Sequence, residues 1–162
     1  MEQRKYHEEF MALYHVWEQL PNGAKAELRR VAKPDELLDV PAFYRLYSGK
    51  AHAEWEKRAY QRLIFCLPYV KHNNENVGLG KALTRGKGVS EKRLFQVVRS
   101  DDPNDMIQLR RILQMTEPAA NWIQTAKTLW YWNERSKRDL LEDYFLSTKQ
   151  HSDNSTKKGT TP

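Results

Sequence analysis

An all-α fold is predicted by three properties of the sequence. Apolar residues recur at helical steps of three and four, and no segment alternates convincingly with period two. Prolines and capping residues then divide the chain into pieces of helical length. Tyr6, Phe10, Leu13, Trp17 and Leu20 step by 4, 3, 4 and 3, which places one apolar stripe on a first helix ended by Pro21-Asn22-Gly23. AKAELRRVAK reads as a short second helix stopped by Pro34. Asp39 and Pro41 supply the cap and first turn of a third, PAFYRLY. Trp55, Ala59, Leu63 and Cys66 carry a longer helix to Pro68. Ser90 caps EKRLFQVVRS, and Asp101 or Asp102 with Pro103 starts NDMIQLRRILQM. Thr116 precedes a helix containing Trp122, and Ser136 opens KRDLLEDYFLSTK. From Gln150 onward almost no apolar residue remains. The expected organisation is a compact helical bundle over residues 1–149, with room for two packed halves at about 1–75 and 76–149. A disordered tail, 150–162, is expected to follow.

The 162 residues suffice for one well-buried domain. Charged residues make up 30% and hydrophobic ones 40%, and no apolar run approaches the roughly 20 residues that cross a bilayer. The beginning, MEQRKYHEEF, lacks an apolar signal core. A single cysteine, Cys66, excludes an internal disulfide framework and suits a reducing cytoplasm. Its setting, RLIFCLPYV, predicts a buried, inert thiol. A cytoplasmic protein with no membrane partner is expected.

Net charge is +6, and the excess is concentrated. Residues 1–76 carry 12 Lys/Arg against 11 Asp/Glu, whereas 77–111 carry 8 against 4, and 77–99 alone carry 6 against 1. A local excess of this kind is the electrostatic footprint of a polyanion partner. Its centre is VGLGKALTRGKGVS, Val77 to Ser90, with four glycines, three cations and no acid.

That stretch is not a nucleotide cradle. A P-loop needs G-x-x-x-x-G-K-[ST], but Gly80 and Gly86 enclose five residues, and Lys87 is followed by Gly88 rather than a hydroxyl. A dinucleotide fingerprint fails because Leu83 stands where the third glycine belongs. The remaining reading is a basic surface loop whose glycines let backbone approach phosphates while Lys81, Arg85 and Lys87 neutralise them. Lys81 and Arg85, four apart, would lie side by side on a short helix. After Ser90, Lys92, Gln96 and Arg99 share one side of a helix, with Leu94, Val97 and Val98 opposite. Arg110, Arg111 and Gln114 gather in one sector of the next helix, and Arg29-Arg30 form an earlier pair. For each arginine the bland alternative is a salt bridge to Asp35, Glu36 or Asp105.

No catalytic constellation emerges. Asp101-Asp102-Pro103-Asn104-Asp105 matches the D-D-x-x-D pattern of Mg²⁺–diphosphate enzymes, but Pro103 places the acids at a helix start, where they cap amides. The five histidines are dispersed, and Cys66 with His72 makes only two ligands, too few for zinc. No nucleophile–base signature is present. Trp122 and at least one of Trp130, Tyr131 and Trp132 are expected in the core. The pair SEKRLFQVVRS and DMIQLRRILQM has a helix–turn–helix outline, yet the second helix opens on acids that phosphates repel. Backbone binding without base readout fits better. No cofactor or metal is called for.

The strings MALYHVWEQLPNGAKAELRRVAKPDELLDVPAFYRLY, LIFCLPYV, GLGKALTRG, SEKRLFQVVRSDDPNDMIQLRRIL and LLEDYFLST closely resemble the CasB family, the small subunit of the type I-E CRISPR Cascade complex. The resemblance runs collinearly from about Phe10 to Lys149. It departs at the extreme N-terminus, in YSGKAHAEWEK, in the KHNNEN loop and in the tail. It implies a non-catalytic, all-helical subunit present in two copies beside the backbone subunits and the large subunit. There it would help hold guide RNA paired with target DNA and the displaced strand of the R-loop. The family's basic surface falls on Arg29, Arg30, Lys81, Arg85, Lys92, Arg93, Arg99, Arg110 and Arg111, and Lys87 from the glycine-rich loop completes the candidate set. The alternative is a structural spacer whose arginines dock only protein neighbours. Deleting Gln150 to Pro162 should leave the thermal midpoint nearly unchanged, since the segment offers no apolar residue to dock. A large fall in midpoint by calorimetry would refute this.

Overall fold

Nine α-helices build the fold among the described residues, 2–47 and 53–158 of a computed structural model, with side chains described over 6–47 and 53–148. They are α1 (Glu2–Gln19), α2 (Asn22–Arg30), α3 (Pro41–Tyr47), α4 (Glu54–Cys66), α5 (Leu79–Ala82), α6 (Glu91–Arg99), α7 (Asn104–Thr116), α8 (Trp122–Trp130) and α9 (Glu134–Lys158). The chain is all-α, apart from two two-residue strands the period-two test did not register. Strand β1 (Lys71–His72) pairs in parallel with β2 (Ala119–Ala120). The YSGKAHAEWEK connection falls partly outside the described residues.

The stripe of α1 is seated as its spacing predicts, with Phe10, Leu13 and Trp17 buried and Tyr6 and Leu20 packed against the core. Helix α2 stops three residues before the expected Lys33, because Val31 leaves helical geometry at ψ 138°. In α4, Ala59, Leu63 and Cys66 are buried, while Trp55 is 53% exposed. Burial pushes the Cys66 thiol up to about 12.

The caps divide into expected and unexpected. Ser90 opens α6, its hydroxyl accepting from the Arg93 N–H at 3.3 Å. Neither Asp101 nor Asp102 caps α7 with its side chain; Pro103 holds the cap position, and the Asp101 carbonyl accepts from Asp105 at 3.1 Å. Thr116 is the last residue of α7, and Asn121 caps α8 by accepting from the Gln124 N–H at 3.1 Å. Asn133, not Ser136, opens α9, accepting from the Ser136 N–H at 2.9 Å. Where disorder was expected from residue 150, α9 continues to Lys158.

The buried side chains form one cluster drawn from both ends of the chain. Helix α5 lies on α9, α6 on α7 and α9, and α8 reaches back onto α1 and α4. Trp122 and Trp130 on α8 are buried, and the Trp122 indole donates to the Phe10 carbonyl at 2.9 Å. Two arginines complete this exchange by capping helix C-termini across the core. Arg62 on α4 donates to the Leu129 and Trp130 carbonyls of α8 at 2.7 and 2.8 Å. Arg110 on α7 donates to Leu28 and Arg29 of α2 at 3.0 and 3.1 Å, and to Val31. Burial lowers the pKa of both guanidiniums below the ordinary arginine value.

Glycine sets how closely α5 meets α9. A Cβ at Gly80 would lie 2.6 Å from the Leu140 carbonyl and 2.8 Å from the Tyr144 nitrogen, both backbone atoms that cannot yield cheaply. Gly80→Ala is therefore expected to destabilise by about 1–3 kcal/mol in urea unfolding. Gly23→Ala, where a Cβ meets nothing within 4 Å, is the control and should be near neutral. Equal midpoints for the two variants would show that α5 does not seat on α9 this way.

Candidate nucleic-acid interface

The candidate cations fall into three groups, each placed by its own element. On α6, Leu94 and Val97 are fully buried, which turns Lys92, Gln96 and Arg99 to solvent. Lys92 and Arg99 flank an open groove of about 690 Å³ whose floor includes the half-buried Phe95 ring and Gln108 of α7. The Arg99 guanidinium lies 4.9 Å from the centre of that ring. Arg93 is exposed but leans across the end of α7, donating to the Met115 sulfur at 3.1 Å. With Arg99 against the ring and Phe145 packed beside it, the groove offers Lys92 and Arg99 as cations for phosphate, with Glu91 the one acid in its lining.

The glycine-rich stretch does two jobs, and phosphate approach by its first glycines is not one of them. Val77, Leu79, Ala82, Leu83 and Val89 are buried. Gly78 and Gly80 make room for α9, and the Lys81 N–H donates to Asp143 at 2.8 Å. Only the far end of the stretch is a surface loop. Gly86 and Gly88 hold φ of +62° and +64°, a conformation that favours glycine, with no atom near a notional Cβ. That turn presents Arg85 and Lys87 to solvent, with Lys81 half-buried one turn earlier.

The third group surrounds the C-terminus of α2. Arg29, Arg30 and Arg111 are exposed around a cleft of about 240 Å³ that also takes in Phe65, Ile107 and Gln114, with no acid in its lining. Arg29 stacks its guanidinium 5.5 Å from the Trp17 ring centre. Arg110 also lines this cleft, from beneath, but does not present its charge there. It is 3% exposed, packs 4.2 Å from the Phe65 ring centre, and has four donors turned onto protein carbonyls or buried. The salt-bridge alternative fails for the arginines of the set, since among the described residues none pairs with Asp35, Glu36 or Asp105. Asp105 is instead buried against Lys137, at 2.8 Å, and accepts from the Trp132 indole at 2.9 Å.

The structure thus brings Lys92 and Arg99 to one groove, and Arg29, Arg30 and Arg111 to another. Lys81, Arg85 and Lys87 line neither. Phe95 is the contributor that the charge pattern passes over. Its signal is the four-residue spacing to Arg99, which sets ring and cation side by side on a helix.

Comparison with known proteins gives concordant results. A family model described as CRISPR-associated protein Cse2 matches residues 24–145. The CRISPR system Cascade subunit CasB of Escherichia coli (strain K12) is 40% identical over 156 residues, spanning 88% of this chain and 96% of that protein. A chain in the crystal structure of E. coli Cascade bound to a PAM-containing dsDNA target aligns with a TM-score of 0.82 and 41% identity, over 86% of this chain and 96% of its own length. CasB from Thermus thermophilus shares the fold at a TM-score of 0.67 with 16% identity, covering 86% of this chain and 97% of that one.

The two neighbouring arginines of α7 should separate cleanly. Arg110→Met removes the side-chain donor of the Leu28 and Val31 carbonyls, leaves that of Arg29 only the longer Tyr69 hydroxyl contact at 3.4 Å, and should cost about 3 kcal/mol in denaturant unfolding. Arg111→Ala, exposed, should change stability by less than about 0.5 kcal/mol. Similar effects for both would contradict the capping role.

Proposed function

The chain belongs to the Cse2 family of CRISPR-associated proteins, and from that premise we propose that it is a non-catalytic nucleic-acid-binding subunit of a guide-RNA surveillance complex. Its contacts go to sugar–phosphate backbone, and they stabilise guide RNA paired with target DNA and the displaced non-target strand. Its partners are the guide and target, the backbone and large subunits, and a second copy of itself. The setting is the cytoplasm. No helix among the described residues is long and apolar enough to cross a membrane.

One observation carries this reading. Six cations between Lys81 and Arg99 reach the surface against the single acid Glu91, on a chain whose aligned relative sits in a complex bound to double-stranded DNA. Exchanging a DNA duplex for a guide–target hybrid is nearly balanced in free energy, so modest backbone contacts decide whether the loop stays open. Sequence readout would be a disadvantage there, because every guide brings a new sequence. The exposed Asp101 and Asp102 beside the start of α7 repel phosphate at the one position where a recognition helix would read bases.

Two measurements test the proposal. If four to six of these cations contact single-strand phosphates, log K against log[salt] falls with a slope of about −3 to −4, without preference among oligonucleotides. A flat response favours the structural spacer. Replacing Lys92, Arg93 and Arg99 with Ala keeps the buried Leu94–Val97 face and a strong helix former, so the complex should still assemble. At up to about 1 kcal/mol per lost contact, R-loop locking should slow tenfold or more and the displaced strand should become more open to a single-strand probe. Normal assembly with unchanged R-loop lifetime would remove α6 from the interface.

A further inference from the structure

A second cleft, of about 690 Å³, opens where α4 faces the turn before α7 and the start of α9. Its size is that of ligand pockets in general, about 300–1,000 Å³. None of the ten candidate cations lines it.

Gln61 is its most informative residue. The side chain is 7% exposed and lines the cleft, yet its carboxamide has no hydrogen-bond partner among the described residues. The amide tip itself is open to the cleft rather than sealed in the core, so it is free to bond whatever enters. The charges around it indicate which partner. Arg62 already holds two carbonyls of α8, and Lys137 already holds Asp105 and the Ser100 carbonyl at 3.0 Å. Asp35, Asp102 and Glu134 also line the cleft, and none has a cation within ion-pair distance among the described residues. The lining as a whole carries four carboxylates, Asp35, Asp102, Asp105 and Glu134, against three cations, Arg58, Arg62 and Lys137, an excess of one negative charge.

We propose that this cleft receives an arginine- or lysine-bearing segment of a neighbouring protein, with Gln61 bonding the segment's backbone amide and Asp35, Asp102 and Glu134 holding its cation. An anion is disfavoured by the same count, so phosphate is the wrong occupant. The D-D-x-x-D acids then have a role that is not catalytic. Asp105 builds the floor through Lys137, and Asp102 faces the guest.

The test is an NMR titration of the full chain, at low salt, with end-blocked glycyl-arginyl-glycine. The Gln61 side-chain amide and the Trp132 indole N–H are the reporters. Saturable shifts are expected, in the millimolar range for so small a probe. Asp102→Asn should weaken binding several-fold. Gln61→Leu should weaken it while leaving the thermal midpoint nearly unchanged, since no described protein group bonds the amide it removes. Nucleic-acid binding should be the same in both variants and wild type, which keeps this inference separable from the interface proposed above. An unsaturable response, or an equal response to glycyl-glutamyl-glycine, overturns the proposal. Saturable shifts with a trinucleotide instead would also overturn it and give the cleft to nucleic acid.

Discussion

Two guanidinium groups tie the ends of this chain together. A helix leaves its last carbonyls without intrahelical donors, and the aligned peptide dipoles make that end negative. Here the last carbonyls of α2 and α8 are each closed by an arginine from a distant part of the sequence. Arg62 reaches from the first half to the second, and Arg110 reaches from the second half to the first. With α8 lying on α1 and α4, neither half keeps its helix ends satisfied without the other. The parallel pairing of Lys71–His72 with Ala119–Ala120 adds a backbone seam between the same regions.

That internal use of positive charge explains how a basic protein presents only part of its charge outward. Buried arginines replace missing donors, and the remaining cations stand on rigid supports. Lys92 and Arg99 are oriented by the buried Leu94 and Val97 beneath them. Arg85 and Lys87 ride on a turn fixed by two glycines in the left-handed region. Arg29 and Arg99 lie against aromatic rings, which restrains their long side chains before any ligand arrives. Preorganised cations lose less freedom on binding than loose ones, an advantage for a surface that must accept any sequence.

Much of this was legible from residue spacing. The stripe from Tyr6 to Leu20, the Ser90 cap and the two-sided character of α6 follow from periodicity alone. The caps at Asn121 and Asn133 were harder, because Thr116 and Ser136 are equally good cap residues by type, and Thr116 is instead the last residue of α7 while the Ser136 N–H is the group that Asn133 accepts from. Arg110 and Arg111 are indistinguishable as letters. Their separate fates depend on which side of α7 meets α2, a contact between residues some eighty positions apart. The glycine-rich stretch misled through composition. Its basic loop is real, but Val77, Leu79, Leu83 and Val89 were the signal that most of it packs inward.

The lone thiol has a practical consequence. Cys66 lies wholly inside the core, beside the Met106 sulfur at 3.5 Å, and is held in its protonated form. Thiolate-directed dyes and spin labels therefore find no reactive site on the native chain. A cysteine engineered at an exposed position would be a unique handle, and two would define one distance. This molecule can be labelled for fluorescence transfer or pulsed spin-resonance ranging without first being stripped of its own sulfur chemistry.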